Sequence, residues 1–352
     1  MKVLITGGAG FIGINAASRY LARGDQVIIV DNLWRPGTEA NLRWLQHQVG
    51  AFKFLQTDIR DGKAVETTFR ESRDASLVLH LAGQVAVTTS VADPRSDFEM
   101  NALGTLNVLE AMRRNKITST LIYSSTNKVY GDLAHIKIAE RPERYEYAEM
   151  PHGVHEDIGL DFHSPYGCSK GSADQYVRDY HRIFGLNTVV FRQSCIYGTR
   201  QFGMEDQGWI AWFLIAAELG LPLTIYGDGK QVRDVLFVDD LLNAFDAAAK
   251  NIEVARGRVY NIGGGPGNAI SILELIEHAG ALSGKKLPYG HGAWRLGDQR
   301  IYVSDIRRAK SELGWEPAIS WRRGVESVRN WVLANRAECE AASAAVTRKL
   351  AS

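Results

Sequence analysis

The stretch TGGAGFIG, Thr6 to Gly13, follows the apolar run Val3-Leu4-Ile5 and opens a segment whose apolar residues have helical spacing. Glycines at 7, 8, 10 and 13 let a backbone turn tightly after a strand and come close to a pyrophosphate, whose charge the amino terminus of the following helix stabilises. Gly7, Gly10, Phe11, Ile12 and Gly13 are therefore candidate dinucleotide contacts. The next apolar run, Gln26–Val30, leads to Asp31-Asn32, and Asp31 stands eighteen residues past Gly13. A carboxylate there can accept both hydroxyls of an adenosine ribose and repels a 2′-phosphate, which favours NAD over NADP. Arg35 weighs on the other side, because an arginine can accommodate that phosphate.

Further along, Lys53–Gln56, Leu77–Leu81 and Thr120–Ser124 continue the alternation of short apolar runs with amphipathic segments. That order predicts a Rossmann-type α/β fold, a doubly wound parallel sheet with helices on both faces. Thr188–Phe191, Val235–Val238 and Arg258–Ile262 are β-branched and bounded by turn residues, and read as later strands of the same sheet. The expected division is a dinucleotide-binding domain over 1–191 and 235–265, a smaller α/β carboxyl-terminal substrate-binding domain over 192–234 and 266–335, and a frayed helical tail over 336–352. The polar segment 131–164 reads as a long loop near a site. Trp209–Tyr226, interrupted by Glu218, Gly220 and Pro222, reads as a buried helix too broken to span a membrane.

Composition narrows the classes. With 352 residues, 45% hydrophobic and 23% charged, the chain can bury a large core, which excludes disorder and fibre. Forty-one basic residues stand against forty acidic ones, without a run of like charge, so neither nucleic acid nor an anionic membrane is an expected partner. The three cysteines, Cys168, Cys195 and Cys339, show no CxxC spacing. A disulfide framework and a metal site are both unexpected, and a reducing cytoplasm is the natural compartment.

The chemistry centres on Tyr166 and Lys170. Four residues apart on a helix, their side chains share a face, and an ammonium beside a phenol, joined by an oxidised nicotinamide, favours the phenolate that a proton-transfer catalyst needs. Ser124-Ser125-Thr126 ends a strand and offers hydroxyl partners.

The glycine spacing and this tyrosine–lysine pair resemble the extended short-chain dehydrogenase/reductase family, and the chain up to about residue 340 is similar to its members that act on nucleotide-linked sugars. The resemblance implies that Asp58-Ile59 contacts adenine and that Leu81-Ala82-Gly83 leaves room for the cofactor. It gives Asn101 a structural place in its helix and makes Thr126, Tyr166 and Lys170 the catalytic triad. In YGDGKQVRDVLFVDDL, residues 226–241, and WRLGDQRIYVSD, residues 294–305, it assigns Arg233 and Arg295 to the nucleotide diphosphate, with Asp298 and Arg300 assisting. Asp239 and Asp240 read as caps of the following helix.

Two departures narrow the branch. Sugar 4,6-dehydratases carry an Asp-Glu pair after the catalytic threonine; this chain has Asn127-Lys128, which removes the acid and base of elimination. Cys195 replaces an asparagine that normally contacts phosphate, either as a packing residue or as a recruited base. The strings HLAGQVAVTTSVADPRSDFEMN (80–101), SSTNKVYG (124–131) and DFHSPYGCSK (161–170) resemble the branch that inverts carbon 2 of a CDP-linked hexose by transient oxidation on bound NAD. Gln84, Asn127, His163, Cys195 and Gln207 are then candidate substrate contacts. The alternatives are a UDP- or GDP-sugar 4-epimerase, a sugar-nucleotide dehydrogenase, or a non-enzymatic NAD-sensing protein on the same fold. The family pairs the helices after Asn101 and Tyr166 across a two-fold axis, so a homodimer or homotetramer is expected.

Overall fold

The computed structural model describes residues 1–48, 51–295 and 298–351; of the segments named above, Leu296, Gly297 and Ser352 lie outside them. Strands β1 (Lys2–Thr6), β2 (Gln26–Asp31), β3 (Lys53–Gln56), β4 (Leu77–His80) and β5 (Thr120–Thr126) are followed by Thr188–Gln193 and Val259–Ile262. They form one seven-stranded sheet in the order β3-β2-β1-β4-β5, then Thr188–Gln193, then Val259–Ile262. All its pairs are parallel.

Alternation along β1 shows why helices cover both faces. Val3 and Ile5 pack with Ile14, Ala17, Leu45 and Phe245 on one side, while Leu4 meets Val65, Phe69, Val108, Met112 and Val177 on the other. Successive side chains of a strand point to opposite faces. Each such buried aliphatic or aromatic side chain contributes about 1.5–3 kcal/mol.

The strand Val232–Phe237 departs from the expectation. It lies outside the seven-stranded sheet, pairing in parallel with Cys195–Tyr197 and Ile301–Tyr302 and antiparallel with Ala269–Ser271. Its β-branched composition specifies a strand but carries no information about the partner. The Trp209–Tyr226 run is likewise two elements, a helix over Trp209–Leu219 and a strand over Leu223–Tyr226. Gly220 adopts φ 70°, a left-handed helix cap, and Pro222 follows it, so the helix cannot continue. Within 131–164 a small hairpin, Ile138–Glu140 with Tyr145–Tyr147, interrupts the loop. The tail is a helix, Arg336–Ala351, whose first turn buries Cys339. Among the described residues no helix is long and apolar enough to cross a membrane.

The sheet sets the position of the site. Strand order reverses between β1 and β4, and ligands of open α/β sheets bind at the carboxyl ends of strands at such a switch point. Thr6–Gly13 and Leu81–Gly83 meet there.

Candidate active site

The glycines are held by contact with neighbouring backbone. A Cβ on Gly7, whose φ is +69°, would lie 2.7 Å from the Ala82 nitrogen, and one on Gly13 would lie 2.3 Å from the Gly7 carbonyl oxygen. Gly7 N–H donates to the Val30 carbonyl at 2.8 Å, fixing the loop onto β2. The helix Phe11–Ala22 starts at Gly10 without a side-chain cap among the described residues, so the N–H groups of its first turn, Phe11 to Gly13, are left for a ligand acceptor. Asp31 accepts from Ala9 N–H at 3.1 Å and from Leu33 N–H at 2.8 Å. Burial pushes its carboxyl up, and those backbone donors oppose the shift.

Asn32 donates to Asp58 at 3.0 Å. The bidentate Arg60 contact at 2.7 and 3.0 Å holds the Asp58 carboxyl down at about 2. Ile59 packs against Gly104, where a Cβ would come within 2.6 Å of its side chain. Loop glycines, uncapped helix, buried carboxylate and the Asn32–Asp58 pair together present the donors and acceptors a dinucleotide needs.

Thr126 ends β5, and Tyr166 and Lys170 lie on the helix Ser164–Phe184. All three are buried. Burial pushes the Tyr166 phenol up to about 12, while its hydrogen bond with Thr126 and the Arg35 charge oppose the shift. Burial also pulls Lys170 down to about 7, opposed by Asp97 and Asp174. Burial in a low-dielectric site thus outweighs the charges that this chain itself places near the phenol. The Lys170 ammonium donates to the Ser124 carbonyl at 2.6 Å and lies 4.4 Å from the centre of the Tyr123 ring. Ser124 and Ser125 bond side chains, Gln193 at 3.0 Å and Asp174 at 2.9 Å.

Asn101 sits in a π-helical turn, Glu99–Leu103. Its amide accepts from Gln84 N–H at 2.9 Å and donates to Asp97 and Ser169 at 3.1 Å each. Those three partners make it a brace beneath the Leu81–Gly83 loop and the Tyr166 helix. The Gln84 side chain bonds both polar groups of Ala86 and reaches Asp97 at 3.1 Å. A short loop turning at Ala86 satisfies that amide internally.

Beyond Tyr166 the candidates converge on one cluster. Cys195 is half-buried; burial pushes its thiol up, and the charges of Arg233 and Lys128 oppose the shift. Arg233 binds Asp298 and the Gln299 carbonyl, both at 2.6 Å. Asn127 accepts from the Thr126 hydroxyl at 3.3 Å. Arg295 lies 4.0 Å over the Tyr226 ring and donates to the Glu205 carbonyl at 2.8 Å, at the outer edge of the cluster. Gln207 bonds Arg35, joining its loop to the dinucleotide side, and Asp206 accepts from Thr88 at 3.1 Å.

Arg300 stands apart from the other candidates: its backbone carbonyl pairs with Val232 and its exposed side chain lies 5.5 Å from the Tyr145 ring centre. His163 is 42% exposed at the rim, 3.1 Å from Asp161. Asp240 does not cap a helix; it accepts from Ile319 N–H at 2.8 Å. Reading by motif missed Lys128 and Gln299, which join this cluster, and Asp97 and Ser169, which join Asn101. The only signal for Lys128 was that it stands where related chains place an acid.

Residues 4–328 match the family model described as GDP-mannose 4,6 dehydratase, and the chain belongs to that family of short-chain dehydrogenase/reductases. Among individual relatives, it is 46% identical over 336 residues to CDP-paratose 2-epimerase of Salmonella typhi, covering 94% of this chain and 99% of that one. Its fold is similar to that of UDP-glucose 4-epimerase of Thermotoga maritima, solved with UDP-glucose, at a TM-score of 0.81 and 30% identity over 96% of this chain and 100% of that one. The Thermus thermophilus UDP-glucose 4-epimerase complex with NAD gives 0.76 and 31%, over 94% and 98%.

Proposed function

We propose that this protein is a NAD-dependent epimerase that inverts carbon 2 of a CDP-linked hexose, taking CDP-paratose to CDP-tyvelose. The observation that carries the reading is the 46% identity, over nearly the whole of both chains, to a CDP-paratose 2-epimerase. The buried triad and the Asn127-Lys128 pair in the dehydratase acid/base position agree with it.

NAD suits the cradle formed by Gly7, Gly10, the Phe11–Gly13 helix start, Asp31, Asn32, Asp58, Ile59 and Leu81–Gly83. Arg35 is engaged with Gln207 rather than with Asp31, which favours NAD over its phosphorylated form. When bound, NAD supplies a positive charge and a hydride acceptor that gives the hydride back. Tyr166 takes the proton of the carbon-2 hydroxyl and returns it to the opposite alcohol. Thr126 holds the reacting oxygen next to that phenol, and Lys170 adds a cation beneath the tyrosine. Asn101 keeps the Leu81–Gly83 loop and the tyrosine helix in register through Gln84 and Ser169. Arg233 and Arg295 anchor the diphosphate so that the sugar ring alone turns between the two half-reactions, with Cys195, Asn127 and Gln207 around it.

The substrate part comprises 192–237 and 266–335, with residues 235–237, the end of the strand Val232–Phe237, moved into it from the dinucleotide part. Three free thiols suit a reducing compartment, and we place the protein in the cytoplasm as a homodimer or a larger assembly of such pairs.

Turnover of CDP-paratose deuterated at carbon 2 tests the mechanism. CDP-tyvelose that keeps its deuterium, without net NADH, is the expected product. Loss of the label to solvent overturns hydride return, and turnover of UDP- or GDP-sugars in preference overturns the nucleotide assignment.

A further inference from the structure

Lys128 lies one residue past Asn127 in the short 3-10 turn Asn127–Tyr130 that follows β5. Its N–H donates to the Thr126 hydroxyl at 3.3 Å, and its carbonyl lies 3.4 Å from where a Cβ of Gly167 would stand, beside Tyr166. From this base the side chain runs into the Arg233 cluster. Its ammonium donates to Gln299 Oε1 at 3.3 Å and lies 3.9 Å from Asp298. Gln299 is itself fixed, with its side-chain amide donating to the Gly131 carbonyl. The ammonium is thus aimed, and it has three donors of which Gln299 takes one.

Lys128 and Arg233 share the carboxylate of Asp298, which is already 2.6 Å from Arg233; the other carboxylate acting on Cys195, Asp234, is taken up by the Ser194 hydroxyl and the Gly265 N–H. Burial pulls Lys128 down to about 8, and the Arg233 charge adds to the shift against Asp298. A phosphate oxygen in this space relieves both cations.

Sugar chemistry says which phosphate. In a nucleotide-linked hexose the inner phosphate is attached at carbon 1. Carbon 2 is one bond from that attachment, whereas carbon 4 is across the ring. Presenting carbon 2 to Tyr166 therefore requires the inner phosphate to lie nearer the phenol than it does when carbon 4 reacts. A cation rooted on the same turn as the Thr126 hydroxyl is placed for that shorter reach.

We propose that Lys128 binds the sugar-proximal phosphate and, by drawing it toward Thr126 and Tyr166, selects carbon 2 of the hexose for reaction. This assignment rests on the CDP-hexose reading above. It makes Lys128 a specificity residue whose charge, rather than its proton, is used.

The test uses the full-length holoenzyme and its Lys128→Met and Lys128→Arg variants, with CDP and CMP binding measured by calorimetry. CMP lacks the inner phosphate, so the ratio of CDP to CMP affinity isolates it and is independent of the fraction folded. The ratio is expected to fall about tenfold or more in Lys128→Met and to recover most of that loss in Lys128→Arg. Residual turnover of CDP-paratose by Lys128→Met is expected to show a raised KM and a larger share of carbon-4 inversion. An unchanged affinity ratio in Lys128→Met overturns the phosphate contact, and an unchanged product ratio overturns the selection of carbon 2. If the wild type binds CDP but turns over no CDP-hexose, it is the proposed activity that fails, whatever the variants do.

Discussion

Tyr166 and His80 show how burial governs single residues here. The phenol is pushed up to about 12, so it needs added positive charge to act as a base near neutrality. Tyr166→Phe removes the proton carrier but not the cradle of glycines and Asp31. Its kcat is expected to fall by about 10²–10⁴, while NAD released on denaturation stays at the wild-type amount; undiminished kcat removes Tyr166 from the mechanism. His80 is fully buried between two hydroxyls, Thr6 at 2.7 Å and Thr105 at 3.0 Å. Thr105 already donates to the Asn101 carbonyl at 2.6 Å, so it accepts from Nε2–H, and Nδ1 is left as the acceptor for Thr6. Burial, with the Lys170 charge adding to it, pulls the imidazole down to about 3. The folded value lies below the unfolded value of about 6.5, so the unfolded chain binds a proton that the folded one refuses. Stability from this group is complete above pH ~6.5 and is lost as pH falls toward 3, at up to about 1.4 kcal/mol per pH unit. Thermal midpoints between pH 7 and 5 should fall more steeply for the wild type than for His80→Gln, and parallel slopes would contradict the assignment. The triad was legible in the sequence because hydroxyl, phenol and amine recur at fixed helical and strand-end positions. Arg233, Asp298, Asn127 and Cys195 were legible by resemblance, but the place of Lys128 and Gln299 among them was not, since the cluster joins residues about a hundred positions or more apart whose spacing carries no period.

At the scale of elements, the π-helical turn Glu99–Leu103 carries the most structural consequence. It lies between the helices Pro94–Phe98 and Gly104–Arg114. An inserted π-turn shifts the register of the residues after it, and Asn101 within it reaches the Gln84 N–H, Asp97 and Ser169 together. Ser169 also donates to Asp97 at 2.5 Å, so one buried network joins this turn to the helix bearing Tyr166 and Lys170. Asn101→Ala leaves Gln84 N–H without its acceptor, at a cost of about 1–3 kcal/mol. Denaturant midpoints should drop accordingly, and kcat should fall while bound NAD persists. A variant with wild-type stability refutes the brace. Periodicity located the seven strands of the main sheet to within one or two residues, but it could not show the π-turn, because one extra residue leaves the apolar pattern nearly intact. Nor could it tell the sheet of Val232–Phe237 from that of Thr188–Gln193. Both are fully buried β-branched runs, and only their neighbours differ.

At the scale of the whole molecule, the chain crosses more than once between the seven-stranded sheet and the sheet of Val232–Phe237, and the loop carrying Asp206 and Gln207 returns to touch Thr88 and Arg35. The 192–237 segment is thereby tied to the part built on the seven-stranded sheet by side-chain contacts beside Arg35 and Thr88. The far side of the same helices has a different character. Tyr176 and Ile183 are 48% and 66% exposed on the helix Ser164–Phe184, and seven residues apart they share a face. Phe98 and Leu103, 55% and 37% exposed, lie on the adjacent Pro94–Leu103 segment, which packs beside that helix through Asn101 and Ser169. Apolar groups of this size gathered on neighbouring helices mark an association surface. In the proposed homodimer a second copy turned about a two-fold axis would cover it with the same residues, since a two-fold interface places one patch against itself. The wild type should sediment at twice 39.0 kDa or a higher even multiple. A Tyr176→Glu, Ile183→Glu double variant places two charges at the self-facing surface and should halve the sedimenting mass. Because both positions are exposed and neither belongs to the residues that form the dinucleotide cradle, the halved species should retain NAD. A double variant that keeps the wild-type mass would show that the pairing surface lies elsewhere, whereas one that halves and also loses NAD would mean that pairing supports the tyrosine helix from outside.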